Sequence, residues 1–213
     1  MRTAEINSAL EKTISSKRLD KYLAAMDGDL DKSLKLYEEN MRLAEAFYTP
    51  LQCLEVCLRN TIHFRLTTTF GEDWLTNGKP PLEDGAKLSI TKAVEDLKKN
   101  DHDYSPDDVV AELNFGFWVG LMGPSYDSTI WRQTLYKGFV ANGRGQKRST
   151  VHKRFNALRR FRNRVAHHEP IYHRPLEQLH TEIIESIAWM CRHTSMWAQH
   201  HSRYEEVATT PTA

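Results

Sequence analysis

Hydrophobic side chains recur along this chain at intervals of three and four, and those intervals predict helices almost throughout. The longest pattern runs from Leu30 to Phe70. Pro50 interrupts it and is expected to kink or divide the helix, because its ring removes a backbone bond and crowds the previous turn. Beyond Pro50, Leu51, Leu54, Leu58 and Ile62 form one stripe with Val56 beside it, and Gly71 ends the element. Residues 1–15 are polar and weakly patterned and read as a loose arm. Ser15 or Ser16 then caps a short helix in which Leu19, Tyr22, Leu23 and Met26 are spaced for burial, followed by a turn at Asp27-Gly28-Asp29. Glu83–Lys99 reads as amphipathic through Leu88, Ala93, Val94 and Leu97. Ser105-Pro106-Asp107-Asp108 supplies a cap, a first-turn proline and two acids, and opens a helix over Val109–Met122 that is apolar nearly all round. Further helices are expected at Trp131–Phe139, from near Thr150, and from Pro175 to about His200, with a basic loop at Val140–Ser149. No strand pattern, internal repeat or glycine-rich phosphate loop stands out. The expected class is all-α, with an arm and short helix over residues 1–29, a helical domain over 30–200 and a polar tail over 201–213.

The helix from Thr150 carries the densest chemistry. Val151, Phe155, Leu158 and Val165, with Phe161 beside them, form its apolar stripe. Asn156, Arg160, Asn163 and His167 form a second, polar stripe, so Asn163 and His167 are neighbours on one face. Arg162 lies about 140° round the wheel from His167, yet its long stem can carry the guanidinium toward a ligand held between helices. Glu169 precedes Pro170 and is pushed out of the α region, which places His167 and His168 in the last turn. Unpaired carbonyls there favour a protonated imidazole, whose charge is tunable near neutral pH.

With 213 residues, 40% of them hydrophobic and 27% charged, the chain has the balance of one domain with a substantial core. No apolar run approaches a membrane span and the polar N-terminus lacks a signal-peptide core, so a cytoplasmic protein without a membrane partner is expected. Cys53, Cys57 and Cys191 make no Cys-x-x-Cys pair and read as free thiols, the first two in an apolar pattern. The net charge of +1 is uninformative, but its distribution is not. Nine Lys or Arg and no acid fall between Arg144 and Arg164, leaving 20 basic against 28 acidic residues, a net −8, elsewhere. Such a strip is the footprint of a phosphate-binding surface, with Lys147, Arg148, Lys153, Arg154, Arg159, Arg160 and Arg164 as candidate RNA contacts. A solvated helix face is the competing reading.

Two chemistries find little support. The chain has ten histidines, but His167 and His168 are adjacent and point different ways, and no His-x3-His or Cys/His knuckle is present. No metal and no cofactor are expected. A Ser-His-Asp hydrolase lacks its nucleophile elbow.

Arg162-Asn163-Arg164-Val165-Ala166-His167 resembles the signature of the HEPN superfamily, an arginine, usually a polar residue, and a histidine after four to six intervening residues. The continuation His168-Glu169-Pro170-Ile171 looks more narrowly like the Abi-like (abortive infection) branch. Leu54-Glu55-Val56-Cys57-Leu58-Arg59-Asn60 resembles that branch's "LEV-x-LRN" helix, and Asp108–Leu121, with Leu113-Asn114-Phe115-Gly116-Phe117-Trp118, its "GFW" segment. The resemblance spans roughly Leu30 to the final helix. It implies an antiparallel helical bundle with additional helices that dimerises and cuts RNA to leave a 2′,3′-cyclic phosphate, in phage defence or as a toxin. It also admits an antitoxin, or a guide or regulatory RNA, as a partner.

Such a ribonuclease needs an imidazole to move protons and a fixed cation beside the phosphate. His167 suits the first task and Arg162 the second, since guanidinium binds phosphate oxygens in a planar fork. Asn163 can bond the phosphate or orient His167. His168, Glu169 and Asn60 are expected around the site, with Arg59 and Asn60 as internal polar contacts. One motif offers few acid–base groups, so a homodimer pairing two copies is the economical solution. A non-catalytic module that dimerises and binds RNA or nucleotide is the alternative. Related toxins that are modified on a tyrosine two positions after the histidine have Glu169 as their counterpart here, with Tyr172 three further on, so that regulation is not expected.

Overall fold

In the computed structural model, which describes residues 2–100 and 103–209, Thr3 opens the first element by accepting the Ile6 N–H on its side chain at 3.3 Å. Helix α1 (Ala4–Ile14) is followed through Ser15 by α2 (Ser16–Ala25). The N-terminal segment is therefore not a loose arm. Arg2 binds Glu38 at 2.6 Å, Asn7 donates to Asp31 at 3.1 Å, and Leu19, Tyr22 and Leu34 close a small second core. Polar composition hid this because few apolar residues are needed when a neighbouring helix supplies the other wall.

Asp29 caps α3 (Leu30–Phe70), a single 41-residue helix on which most of the other elements rest. Pro50 is buried within it and does not divide it. Leu43, Phe47, Leu51, Leu54, Leu58, Ile62 and Leu66 line its core side at intervals of three and four. Next come α4 (Asp84–Asn100), α5 (Pro106–Glu112) and α6 (Phe115–Gly120). Leu88, expected inside α4, is exposed, while Ile90 and Ala93 are buried. The single apolar helix expected over Val109–Met122 is broken, because Leu113 turns extended and Asn114 accepts the Phe117 N–H at 3.0 Å to start afresh.

Trp131–Phe139 is likewise not one helix. A 3₁₀ turn at Pro124–Tyr126, a π turn at Asp127–Trp131 and a 3₁₀ turn at Leu135–Gly138 lead into the strands β1 (Val140–Ala141) and β2 (Arg144–Gly145). These pair antiparallel through Asn142 and Gly143, both at positive φ, the two-residue turn that Asn-Gly favours. The basic loop is thus a short hairpin. Helix α7 (Arg148–Ala166) carries Val151, Phe155, Leu158 and Phe161 into the core. The last helical pattern splits at Cys191 into α8 (Leu176–Met190) and α9 (Arg192–His201), and the expected polar tail contains α10 (Tyr204–Thr209) with Tyr204 buried. The class is all-α, and among the described residues no helix is long and apolar enough to cross a membrane.

Candidate functional site

The end of α7 is held by its own backbone. His168 N–H donates to Val165 O at 3.1 Å and Glu169 N–H to Arg164 O at 2.8 Å, with His168 at φ 56°. This pair of bonds ends many helices, usually with glycine at the left-handed position. A histidine there is strained, since its Cβ crowds a carbonyl. The terminal carbonyls are not left unpaired as expected. Arg18 of α2 donates to His168 O at 2.7 Å and approaches His167 O at 3.4 Å. Beyond the turn, buried Asn40 accepts the N–H groups of Ile171 (2.6 Å) and Tyr172 (3.2 Å), and Glu169 binds Arg164 at 2.8 Å.

A groove of about 730 Å³ lies between α3 and this end of α7. Arg162 and His168 line it from one side; Glu55 and Arg59, one turn apart, line it from α3. Arg162 Nε donates to Glu55 Oε2 at 3.0 Å. That single bond orients the guanidinium and leaves its Nη edge for an anion. Arg59 uses its Nε on Asn60 Oδ1 at 3.2 Å. Met41 and Tyr48 supply exposed apolar wall at 56% and 68% accessibility.

The structure therefore unites Arg162 with His168, not with His167. His167 sits at the helix cap, exposed and outside the groove lining, and half-buried Asn163 is also outside it. The two differ in backbone: His167 is the helix cap, and His168, one residue on at the left-handed position, is the one that lines the groove. Asn60, expected as an internal contact, is exposed and faces an adjoining groove, whereas Arg59 belongs to the site. Glu169 fastens the turn through Arg164.

The basic strip divides in two. Arg148 is held by Asp127 (3.1 Å) and Met122 O (3.0 Å), and Arg154 by Glu185 (3.2 Å) with its guanidinium 5.3 Å over Trp189. Arg164 binds Glu169, and Arg159 turns back onto Asn156 at 3.0 Å. Lys147, Lys153 and Arg160 remain exposed. Acids hold three of the seven cations, and for Arg148 and Arg154 this was invisible in sequence, because Asp127, Glu182 and Glu185 lie on other elements. Histidines near the strip lean toward the neutral form: burial, then Arg148 and Arg159, lower His152, while burial, then Arg174, Arg164 and Lys21, lower His173.

Glu55 and Arg59 carried one readable signal, an acid–base pair at i,i+4 in an otherwise apolar helix. Arg18 carried none. Among the described residues no group of three or more His, Cys, Asp or Glu is placed to hold a metal ion. No protein-family model, curated protein or solved structure matches the chain.

Proposed function

We propose that this chain is a metal-independent endoribonuclease of the HEPN, Abi-like type, acting in the cytoplasm in phage defence or as a toxin. The observation that carries the reading is one groove lined by both a guanidinium oriented by a carboxylate and an imidazole. Arg162 holds a non-bridging phosphate oxygen through its Nη edge, and Arg59 is close enough on α3 to share the charge. A base takes the proton of the 2′-hydroxyl as that oxygen attacks phosphorus. An acid gives a proton to the leaving 5′-oxygen, so the products are a 2′,3′-cyclic phosphate and a 5′-hydroxyl. His168 supplies one of these groups from within the groove. His167, exposed at the end of the same turn, supplies the other to a second copy of the chain.

Labelled RNA incubated with the protein in EDTA should be cut to fragments ending in 2′,3′-cyclic phosphate, and Arg162→Ala should slow this by about 100-fold or more. RNA left intact by the wild type under these conditions refutes the proposal.

The Arg162–Glu55 bond also favours a second reading, a non-catalytic module that binds RNA or nucleotide. RNA that binds at the groove and is never cut would establish it.

A further inference from the structure

A second groove, of about 610 Å³, runs along α3 beside the first and shares Gln52 and Val56 with it. Its far wall comes from the 3₁₀ turn at Leu135–Gly138, β1, and the junction of α8 with α9. Gly138 lets that wall approach, since a Cβ there would meet Thr61 Cγ2 at 2.8 Å. The floor includes Cys53 and Cys57, and burial, with Cys191 nearby, raises the Cys57 thiol to about 11, so it stays neutral.

Two features of the rim point to one kind of occupant. Phe64 and Trp197 are 60% and 57% exposed, large aromatic faces left in water. Arg65 and Lys137 stand beside them, and among the described residues no Asp or Glu lines the groove. Arg65 lies 5.5 Å from the Phe64 ring and donates to Lys137 O at 3.0 Å, which holds it at the rim. An uncharged protein surface would fill the apolar floor but leave both cations unanswered. Largely exposed aromatic rings set among cations, Phe64 under Arg65 and Trp197 edge-on to His201 at 4.9 Å, suit a chain of bases on a phosphate backbone.

We infer that this groove is a base-stacking subsite for single-stranded RNA, continuous with the Arg162 groove. The inference rests on the ribonuclease reading for the phosphate at Arg162 and for RNA as substrate, not for stacking at the second groove. Phe64 follows Arg59 by five residues, roughly 7.5 Å along the helix axis at 1.5 Å per residue. One strand therefore reaches both: a phosphate at Arg162 and Arg59, and the flanking base against Phe64 and Trp197. Duplex RNA keeps its bases stacked on one another and cannot use the second groove. Unpaired RNA becomes the preferred substrate.

The test is anisotropy of a fluorescein-labelled 2′-O-methyl RNA decamer, which binds but lacks the attacking hydroxyl, with the full-length wild type, Phe64→Ala, Trp197→Ala, Trp197→Phe and Arg162→Ala. Each alanine at the rim should weaken single-strand binding about 5- to 150-fold, the loss of one stacked base, and leave duplex binding unchanged. Trp197→Phe should restore most of the affinity. Wild-type affinity in both alanine variants overturns the subsite; so does an equal loss on duplex, or a change of oligomeric state in sedimentation, which would make the face a protein interface. If those variants bind normally while Arg162→Ala does not, the subsite fails and RNA binding at the Arg162 groove stands. If the wild type binds no single strand, both fail.

Discussion

His168 stands in a backbone conformation that suits glycine, and nothing in the packing around it requires a side chain. The helix end would form at least as well without one. His168→Gly should raise stability by roughly 1 kcal/mol by relieving the left-handed strain, less the added entropy of the unfolded chain. For a chain of this length that is a rise in Tm of about 2–4 °C. Cleavage should fall about 100- to 10,000-fold in the same variant. Opposite signs in calorimetry and in the cleavage assay would mark a residue kept for chemistry; a cleavage rate left intact would remove His168 from the site. That the paired histidines fall where the helix carrying Arg162 ends was legible in the sequence, from the proline that follows them. Which histidine enters the groove was not. The wheel that set His167 beside Asn163 holds only while the helix continues, and it stops one residue before the difference matters.

At the scale of elements, legibility followed the strength of local signals. Asp29, Gly71 and the capping box at Ser105 and Asp108 marked boundaries that the structure keeps. The break at Leu113-Asn114 and the helix in the tail were missed because tertiary partners decide them: Trp118 Nε1 donates to Leu113 O at 3.1 Å, and Tyr204 stacks on His180 at 4.8 Å. The Asn142-Gly143 turn was readable and passed over among the arginines. Histidines packed among these helices should also make the fold sensitive to acid. His180, buried in α8 and bonded to Ser202 at 2.8 Å, is lowered by burial against a smaller raising effect of Glu205; His63, which accepts from Trp74 at 3.1 Å, is lowered by burial and Arg59 against Asp107. Below about pH 6.5 the unfolded chain takes up protons that the folded one refuses. Stability is therefore full above that pH and lost as it falls toward the depressed folded values. Urea midpoints should drop between pH 7 and 5.5, and His180→Leu should flatten the drop. An unchanged slope in that variant would show that His180 is not among the groups responsible.

For the whole molecule, the proposed ribonuclease raises the question of how one copy of the motif would supply two proton-transfer groups. Arg162 and His168 line the groove, while His167, at the same end of α7, is exposed and outside that lining. Met41 and Tyr48 leave apolar wall exposed beside it, which a second copy can cover. The approach is opposed by charge, since Lys153 and Arg160 of the same helix are exposed and would meet cations like themselves. Salt or bound RNA should therefore tighten the dimer, and low salt without ligand should loosen it, in sedimentation at micromolar concentration. In the symmetric pair each site then takes Arg162 and His168 from one chain and His167 from the other. Arg162→Ala and His167→Ala homodimers are both inactive on this scheme. Mixed in equal amounts and allowed to exchange, half of the dimers carry one chain of each kind. In these the groove of the His167→Ala chain is whole, because its partner lends the missing imidazole. The mixture should regain about a quarter of wild-type activity, half of the dimers with one of two sites each. A mixture as inactive as its parts, or an active species that sediments as a monomer with RNA present, excludes the shared site.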